Sequence, residues 1–353
     1  MHGRRNYALS SRKGDSIVKA LKRKETGLFV LLVVVCALTA MKSPNFLSVA
    51  NLINESRLIG MYGIFSIGLG MVIITGGIDL SVGSMFALLG VVLAMVLNPA
   101  DKTWPVPFGF MNGRFLPWPA AVVATMALGS FLGTFHGFLI TRVKLQPFIV
   151  TLCGLLFYRG MARYIAQDDA KGFGDAKGFE VLKEFAKGSL FGVPMPFVML
   201  IVLSIVMWVI LHRSVYGRHL FATGRNEEAA RYSGINTKRI VASTYILSGL
   251  LAAVSGILFA FDTNSIAPSM TGNFYELYGI AAAVLGGCSL RGGEGSIVGI
   301  ILGTILLQVL QNLVNLLGFP SSLNFAVMGA VILTGVLADQ ILTNRSKTAR
   351  AKA

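Results

Sequence analysis

The chain has 353 residues, 54% of them hydrophobic and only 13% charged, with 40 glycines and a formal net charge of +15. A soluble domain carries about a quarter charged residues, and one soluble core could not bury this much apolar surface, so a membrane protein is expected and a soluble enzyme is excluded. The positive charge does not point to nucleic acid, because the basic residues cluster between and beyond apolar runs, where such clusters fix membrane orientation.

In chain order, residues 1–26 form a basic tail holding Arg4, Arg5, Arg12, Lys13, Lys19, Lys22, Arg23 and Lys24 against Asp15 and Glu25. The apolar stretch that follows lacks a small-residue cleavage pattern and ends in Lys42-Ser43-Pro44, which predicts a retained span rather than a secretory signal. A spanning helix needs about 20 mostly apolar residues. Ten candidates follow: Gly27–Phe46, Leu58–Thr75, Ser81–Leu97, Pro119–Thr141, Pro147–Ala166, Pro194–His212, Ile240–Phe261, Phe274–Gly287, Ile297–Leu317 and Leu323–Leu342. The third and eighth are short enough to be tilted, re-entrant or half-helices. The predicted class is an all-α polytopic membrane protein, with a transmembrane domain over 27–342 and a second basic tail over 343–353.

With the N-terminus inside, alternation puts Arg142 and Lys144, the loop Arg213–Arg239, Arg291 and the tail Arg345, Lys347, Arg350 and Lys352 on the cytoplasmic side. The opposite loop, Gln167–Val193, is mixed in charge. That asymmetry supports ten spans with both ends in the cytoplasm. Cys36, Cys153 and Cys288 lie within or beside apolar runs and are expected to be packed core cysteines; no Cys/His spacing resembles a zinc site, and no metal or cofactor is expected.

Three stretches carry the candidate function. In Gly76-Gly77-Ile78-Asp79-Leu80-Ser81, two glycines break the second span and Asp79 and Ser81 open the third. Two readings stand: a capped helix start at the cytoplasmic rim, or a broken helix whose backbone and Asp79 line a solute route. The related segment AAVLGGCSLRGGEGSIVG, near the eighth and ninth spans, also joins two apolar helices through a glycine pair and a short polar stretch. It reads either as an internal repeat, common in transporters, or as a chance recurrence in a glycine-rich chain.

The second stretch is the cytoplasmic run from Arg225 to Ile235. Asn226 suits an N-cap, Glu227 and Glu228 the first turn, small Ala229 and Ala230 the middle, Arg231 the last turn and Gly234 a left-handed stop. This predicts a short self-capped helix, either an ordinary surface helix or a docking helix for a motor subunit. The third is Gln308, Gln311, Asn312 and Asn315, which share one helix face at i, i+3, i+4 and i+7. They either bond a neighbouring helix or form a polar stripe on the pathway. Phe274, Tyr275, Glu276 and Tyr278 add aromatic contacts or an interfacial belt.

The segments GGIDLSVGS, YGRHLFATGRNEEAARYSGI and AAAVLGGCSLRGGEGSIVGIILGTIL resemble the permease family of bacterial ABC importers for ribose, xylose, galactose and related monosaccharides. The likeness runs in matching order from the first span to Asp339, with the stretches Pro99–Pro119 and Gln167–Val193 longer than in typical members. The resemblance implies a ten-span fold with two pseudo-symmetric halves, similar to the cobalamin importer permease. It also implies a homodimer in lipid, partnered by ATP-binding cassette ATPase subunits and an extracytoplasmic solute-binding protein. No G-x-x-x-x-G-K-[ST], H-E-x-x-H or G-x-S-x-G run occurs, so the chain carries no P-loop and no catalytic group of those kinds. His2, His136, His212 and His219 are scattered. The expectation is a permease of the inner membrane energised in trans, the competing class being an ion-coupled secondary transporter of a small polar solute.

Overall fold

The structure is a computed structural model that describes residues 25–98, 117–173 and 179–318, and single positions between 320 and 333. Among these residues seven helices are long and apolar enough to cross a membrane: α1 (Glu25–Lys42), α2 (Val49–Ile74), α4 (Trp118–Thr141), α5 (Pro147–Ala166), α7 (Met195–Arg213), α10 (Thr237–Thr263) and α12 (Ile297–Leu316). Two shorter apolar helices, α3 (Val82–Leu97) and α11 (Tyr275–Leu285), stand where the third and eighth spans were expected. The tenth expected span, Leu323–Leu342, lies largely outside the described residues, although 323, 326, 327, 329, 330 and 333 are helical.

Several expected boundaries shift. The first span ends at Lys42, and Phe46 belongs to a separate 3-10 turn, Pro44–Leu47. The second begins at Val49 rather than Leu58, under a Ser48 cap that accepts from the Asn51 amide. Its added turns contain Asn51, Glu55 and Arg57, polar residues that interrupt the apolar run but find partners on distant helices. Ser81 precedes the third helix instead of opening it, and α10 outruns its expected ends on both sides.

The bundle is apolar both in its interior and over much of its outer surface. α3 and most of α2 are buried, while α4, α5 and α7 turn apolar side chains such as Phe131, Leu156 and Ile205 outward, as lipid-facing helices do. Cys153 is exposed on this outer surface, which corrects the expectation of a core position; Cys288 is buried and Cys36 half-buried. An apolar outer surface is tolerated in a bilayer, so an apolar run does not by itself place its cysteine inside.

α4 and α10 pack closely along a line of small residues. Gly129, Gly133 and Gly137 form a ridge at four-residue spacing on α4, facing Ala242, Ile246, Gly249 and Ala253 of α10. A Cβ at Gly129 would sit 2.6 Å from the Gly249 carbonyl oxygen, and one at Gly137 would sit 2.9 Å from Ala242 Cα.

The two ends of the bundle are distinct. At one, strands β1 (Lys171–Gly172) and β4 (Ser265–Ile266) pair antiparallel, and Arg57 meets Asp262 at 3.5 Å. The loop from 167 to 193 is not featureless: it holds amphipathic α6 (Phe179–Lys187) and the hairpin of β2 (Ser189–Leu190) and β3 (Val193–Pro194). At the other end, the loops 75–81, 214–236 and 286–296 meet, and Ser296 bonds Glu25. The expected cytoplasmic loop contains two helices, α8 (Val215–Arg225) and α9 (Glu227–Tyr232).

Candidate functional site

The break after α2 is built by glycine. Gly76 has φ +81°, which a side chain would strain, and the chain then runs without regular structure to Ser81. Asp79 is 1% exposed. Its Oδ1 accepts from the Ser81 amide (3.0 Å) and the Ser81 hydroxyl (2.7 Å), and its Oδ2 accepts from Ser248 Oγ on α10 (2.9 Å). The Tyr245 hydroxyl, also on α10, donates to the Ile78 carbonyl (3.1 Å). Asp79 is therefore a knot between the broken segment and α10, not a cap over the first-turn amides of α3; Ser81, at the N-cap position, makes no side-chain cap bond. His136 of α4 and Tyr158 of α5 pair beside it, Nε2 to Oη at 2.8 Å.

Glu276, in the first turn of α11, is buried against the first turn of α3: a Cβ at Gly83 would collide with its Oε2 and with the Gly272 carbonyl oxygen. Arg159 of α5 donates to the carbonyls of Pro268 (2.8 Å) and Thr271 (2.6 Å), pulling the loop before α11 into the bundle. The N-termini of two short helices thus meet at a buried carboxylate, which suits the positive ends of their dipoles. The sequence contained this signal in an ionisable residue within each of two apolar stretches, Arg159 and Glu276. Glu55, Asp79 and Glu276 are all buried.

Tyr275 and Tyr278 do not form an interfacial belt. They pack with Tyr62, Phe65 and Phe86, with Tyr62–Tyr275 centroids 4.9 Å apart and Phe86–Tyr275 edge to face at 5.5 Å. Buried Gln308 lines a narrow gap beside them with Tyr62, Ser66, Tyr278 and Thr304. Gln311 Nε2 donates to Tyr278 Oη (3.3 Å). Asn312 instead holds helices together: its Nδ2 donates to Glu55 Oε1 (2.7 Å) and Asn51 Oδ1 (2.9 Å) of α2. Asn315 is exposed near the end of α12. The structure therefore splits the eight candidate pathway residues. Gly76, Gly77, Asp79 and Ser81 lie at the α2–α3 break against α10, whereas the Gln308–Asn315 stripe lies against α2 and α11. Asn312→Ala leaves Glu55 Oε1 without this donor and is expected to cost about 1–3 kcal/mol, read as a lower melting temperature in detergent.

The run from Arg225 to Ile235 has the geometry its sequence predicts. Asn226 Oδ1 accepts from the Ala229 amide (2.9 Å), Glu227 and Glu228 fill the first turn, and Gly234 turns out at φ +84°. Arg231 approaches Glu228 at 4.0 Å, and Glu227 accepts from Thr237 Oγ1 (3.0 Å). Ala230 is buried, while Arg225, Glu228, Ala229 and Tyr232 face outward, so α9 offers one free face.

A bundle of apolar helices interrupted by glycine segments, with a capped helix at one end, fits a membrane transport permease. The chain belongs to the family described as branched-chain amino acid transport system / permease component, which matches residues 51–336. It is 37% identical over 316 residues to the ribose import permease protein of Bacillus subtilis (strain 168), covering 89% of this chain and 91% of that protein. It is 33% identical over 323 residues to the L-arabinose transport system permease protein of Escherichia coli (strain K12), covering 91% of each. The autoinducer 2 import system permease protein of Photorhabdus temperata is 32% identical over 323 residues, 91% of this chain and 92% of that protein. No solved structure matches. The chain is thus a membrane permease subunit of an ABC import system and not an enzyme.

Proposed function

We propose that this subunit carries a monosaccharide or similar small polar solute across the bacterial cytoplasmic membrane, using ATP hydrolysed by a separate subunit and solute delivered by an extracytoplasmic binding protein. The observation that carries the solute class is end-to-end similarity to permeases named for ribose and L-arabinose. The proposal includes ten spans with both termini cytoplasmic, two pseudo-symmetric halves like those of the cobalamin importer permease, and a permease homodimer in lipid. In it, 1–26 and 343–353 are cytoplasmic tails, 27–342 is the transmembrane domain and 213–239 is the coupling loop. The uncharged amides of Gln308 and Gln311 beside Tyr62 and Tyr278 suit a hydroxyl-rich solute, and Gly76–Ser81 supplies the movable break.

Proteoliposomes holding the permease, its ATPase and its binding protein test the reading. Uptake of labelled pentose should require internal or external ATP according to orientation and should be indifferent to ion gradients. The buried carboxylates of Glu55, Asp79 and Glu276 favour the second reading, an ion-coupled carrier. Uptake driven by a proton or sodium gradient without ATP would establish that reading instead.

The coupling role falls to Arg225, Asn226, Glu227, Glu228, Ala229, Ala230, Arg231 and Gly234. Ala229→Trp and Glu228→Arg change exposed positions, where a surface helix tolerates substitution within about 0.5 kcal/mol. Both variants are expected to melt near the wild-type temperature yet lose ATPase co-purification or solute-coupled hydrolysis. Normal assembly and transport by both would reduce α9 to a linker.

A further inference from the structure

The two glycine-interrupted segments that resemble each other in sequence touch in space, and α8 is what they touch. α8 ends at Gly224-Arg225, directly before α9. A Cβ at Gly224 would collide with the Ile74 carbonyl oxygen at the end of α2 and lie 2.6 Å from the Gly293 amide nitrogen. A Cβ at Gly292 would lie 2.6 Å from the Gly224 oxygen and 2.9 Å from the Gly76 nitrogen, and one at Gly293 2.9 Å from Arg225 Cα. Gly292 and Gly293 have φ +80° and +78°, so this backbone path needs glycine. The Gly293 amide donates to the Ile74 carbonyl at 2.8 Å, tying the loop after α11 to the last turn of α2. Three backbones therefore meet with no side chain between them, and a displacement of one cannot be absorbed by a rotamer change.

We infer that Gly224 is a positioning residue: the C-terminus of α8 is a knuckle that delivers a push on α9 to both glycine-interrupted segments, 75–81 and 286–296, at once. This rests on the reading of α9 as the docking helix of the ATPase subunit. Each segment leads into a helix of the bundle, α3 and α12 respectively, so one displacement reaches both. The chemical logic of the doubled motif follows: each copy supplies a glycine corner small enough for α8 to sit against.

Gly224→Ala is the test, in the assembled transporter, with Gly160→Ala as control because a Cβ there meets nothing within 4 Å. The ATPase should still co-purify with the Gly224 variant, and binding protein should still stimulate hydrolysis, while ATP consumed per solute moved rises about tenfold. A purely structural role would lower transport and hydrolysis together and leave that ratio unchanged, which overturns the inference. Loss of co-purification would mean that Gly224 shapes the docking face itself rather than passing its motion on, which overturns the knuckle; the docking reading of α9 falls instead if Ala229→Trp and Glu228→Arg leave assembly and coupling intact. Should the variant fail to fold, hydrogen exchange on the wild-type assembly decides: nucleotide addition should change protection of 74–81 and 287–296 together. A change in only one segment, or in neither, overturns the knuckle.

Discussion

Gly133→Leu is expected to prevent assembly of the bundle. A Cβ at this position would collide with the Tyr245 carbonyl oxygen of α10 and lie 2.9 Å from Ile246 Cα, so its obstacles are backbone and cannot rotate away. The remaining three carbons of leucine would have to force α4 and α10 apart along the whole ridge from Gly129 to Gly137. Overpacking a well-packed interior costs about 1–3 kcal/mol, and a backbone clash belongs at or above the upper end. In lipid there is no hydrophobic drive to compress the pair again, since close van der Waals approach is itself what joins membrane helices. Separation would also carry Tyr245 away from the Ile78 carbonyl it bonds. Expression, size-exclusion profile and detergent melting report the outcome. A monodisperse variant melting at the wild-type temperature would show that the ridge does not determine the helix spacing.

Local and non-local chemistry divide what the sequence reveals. The capped helix α9 was readable because each of its determinants lies within a few residues of the next: Asn226 bonds Ala229, and Gly234 closes the far end. α5 was likewise bounded correctly by Pro147 and by the polar residues after Ala166. The start of α2 was hidden, because Asn51, Glu55 and Arg57 look like loop residues until Asn312 and Asp262 are seen across the bundle. For Asp79 both the cap and the route-lining readings stood open, because its partner Ser248 is 169 positions away. The glycine spacing on α4 was present in the sequence, but a face with small residues shows its meaning only when a second helix is laid against it.

Asp79 yields the sharpest substitution pair, because charge and hydrogen bonding can be separated there. Asp79→Ala removes an acceptor from the Ser81 amide, the Ser81 hydroxyl and the Ser248 hydroxyl together. The site is 1% exposed, so water does not replace what is lost. An orphaned buried donor costs about 1–3 kcal/mol; the two hydroxyls can turn to other acceptors while the amide cannot, which places the loss within that range. The alanine variant should melt well below wild type and release the 76–81 segment from α10. Asp79→Asn keeps an oxygen for Ser81 and presents an amide donor to Ser248, whose hydroxyl also accepts. It should fold and bind the ATPase nearly as well as wild type. Transport then separates the two roles of the carboxylate. Reduced uptake in a well-folded asparagine variant, with the ATPase still bound, means the negative charge itself serves the solute route. Full uptake means that Asp79 acts only through the bonds that pin the break to α10, and that the moving part is the segment rather than the charge.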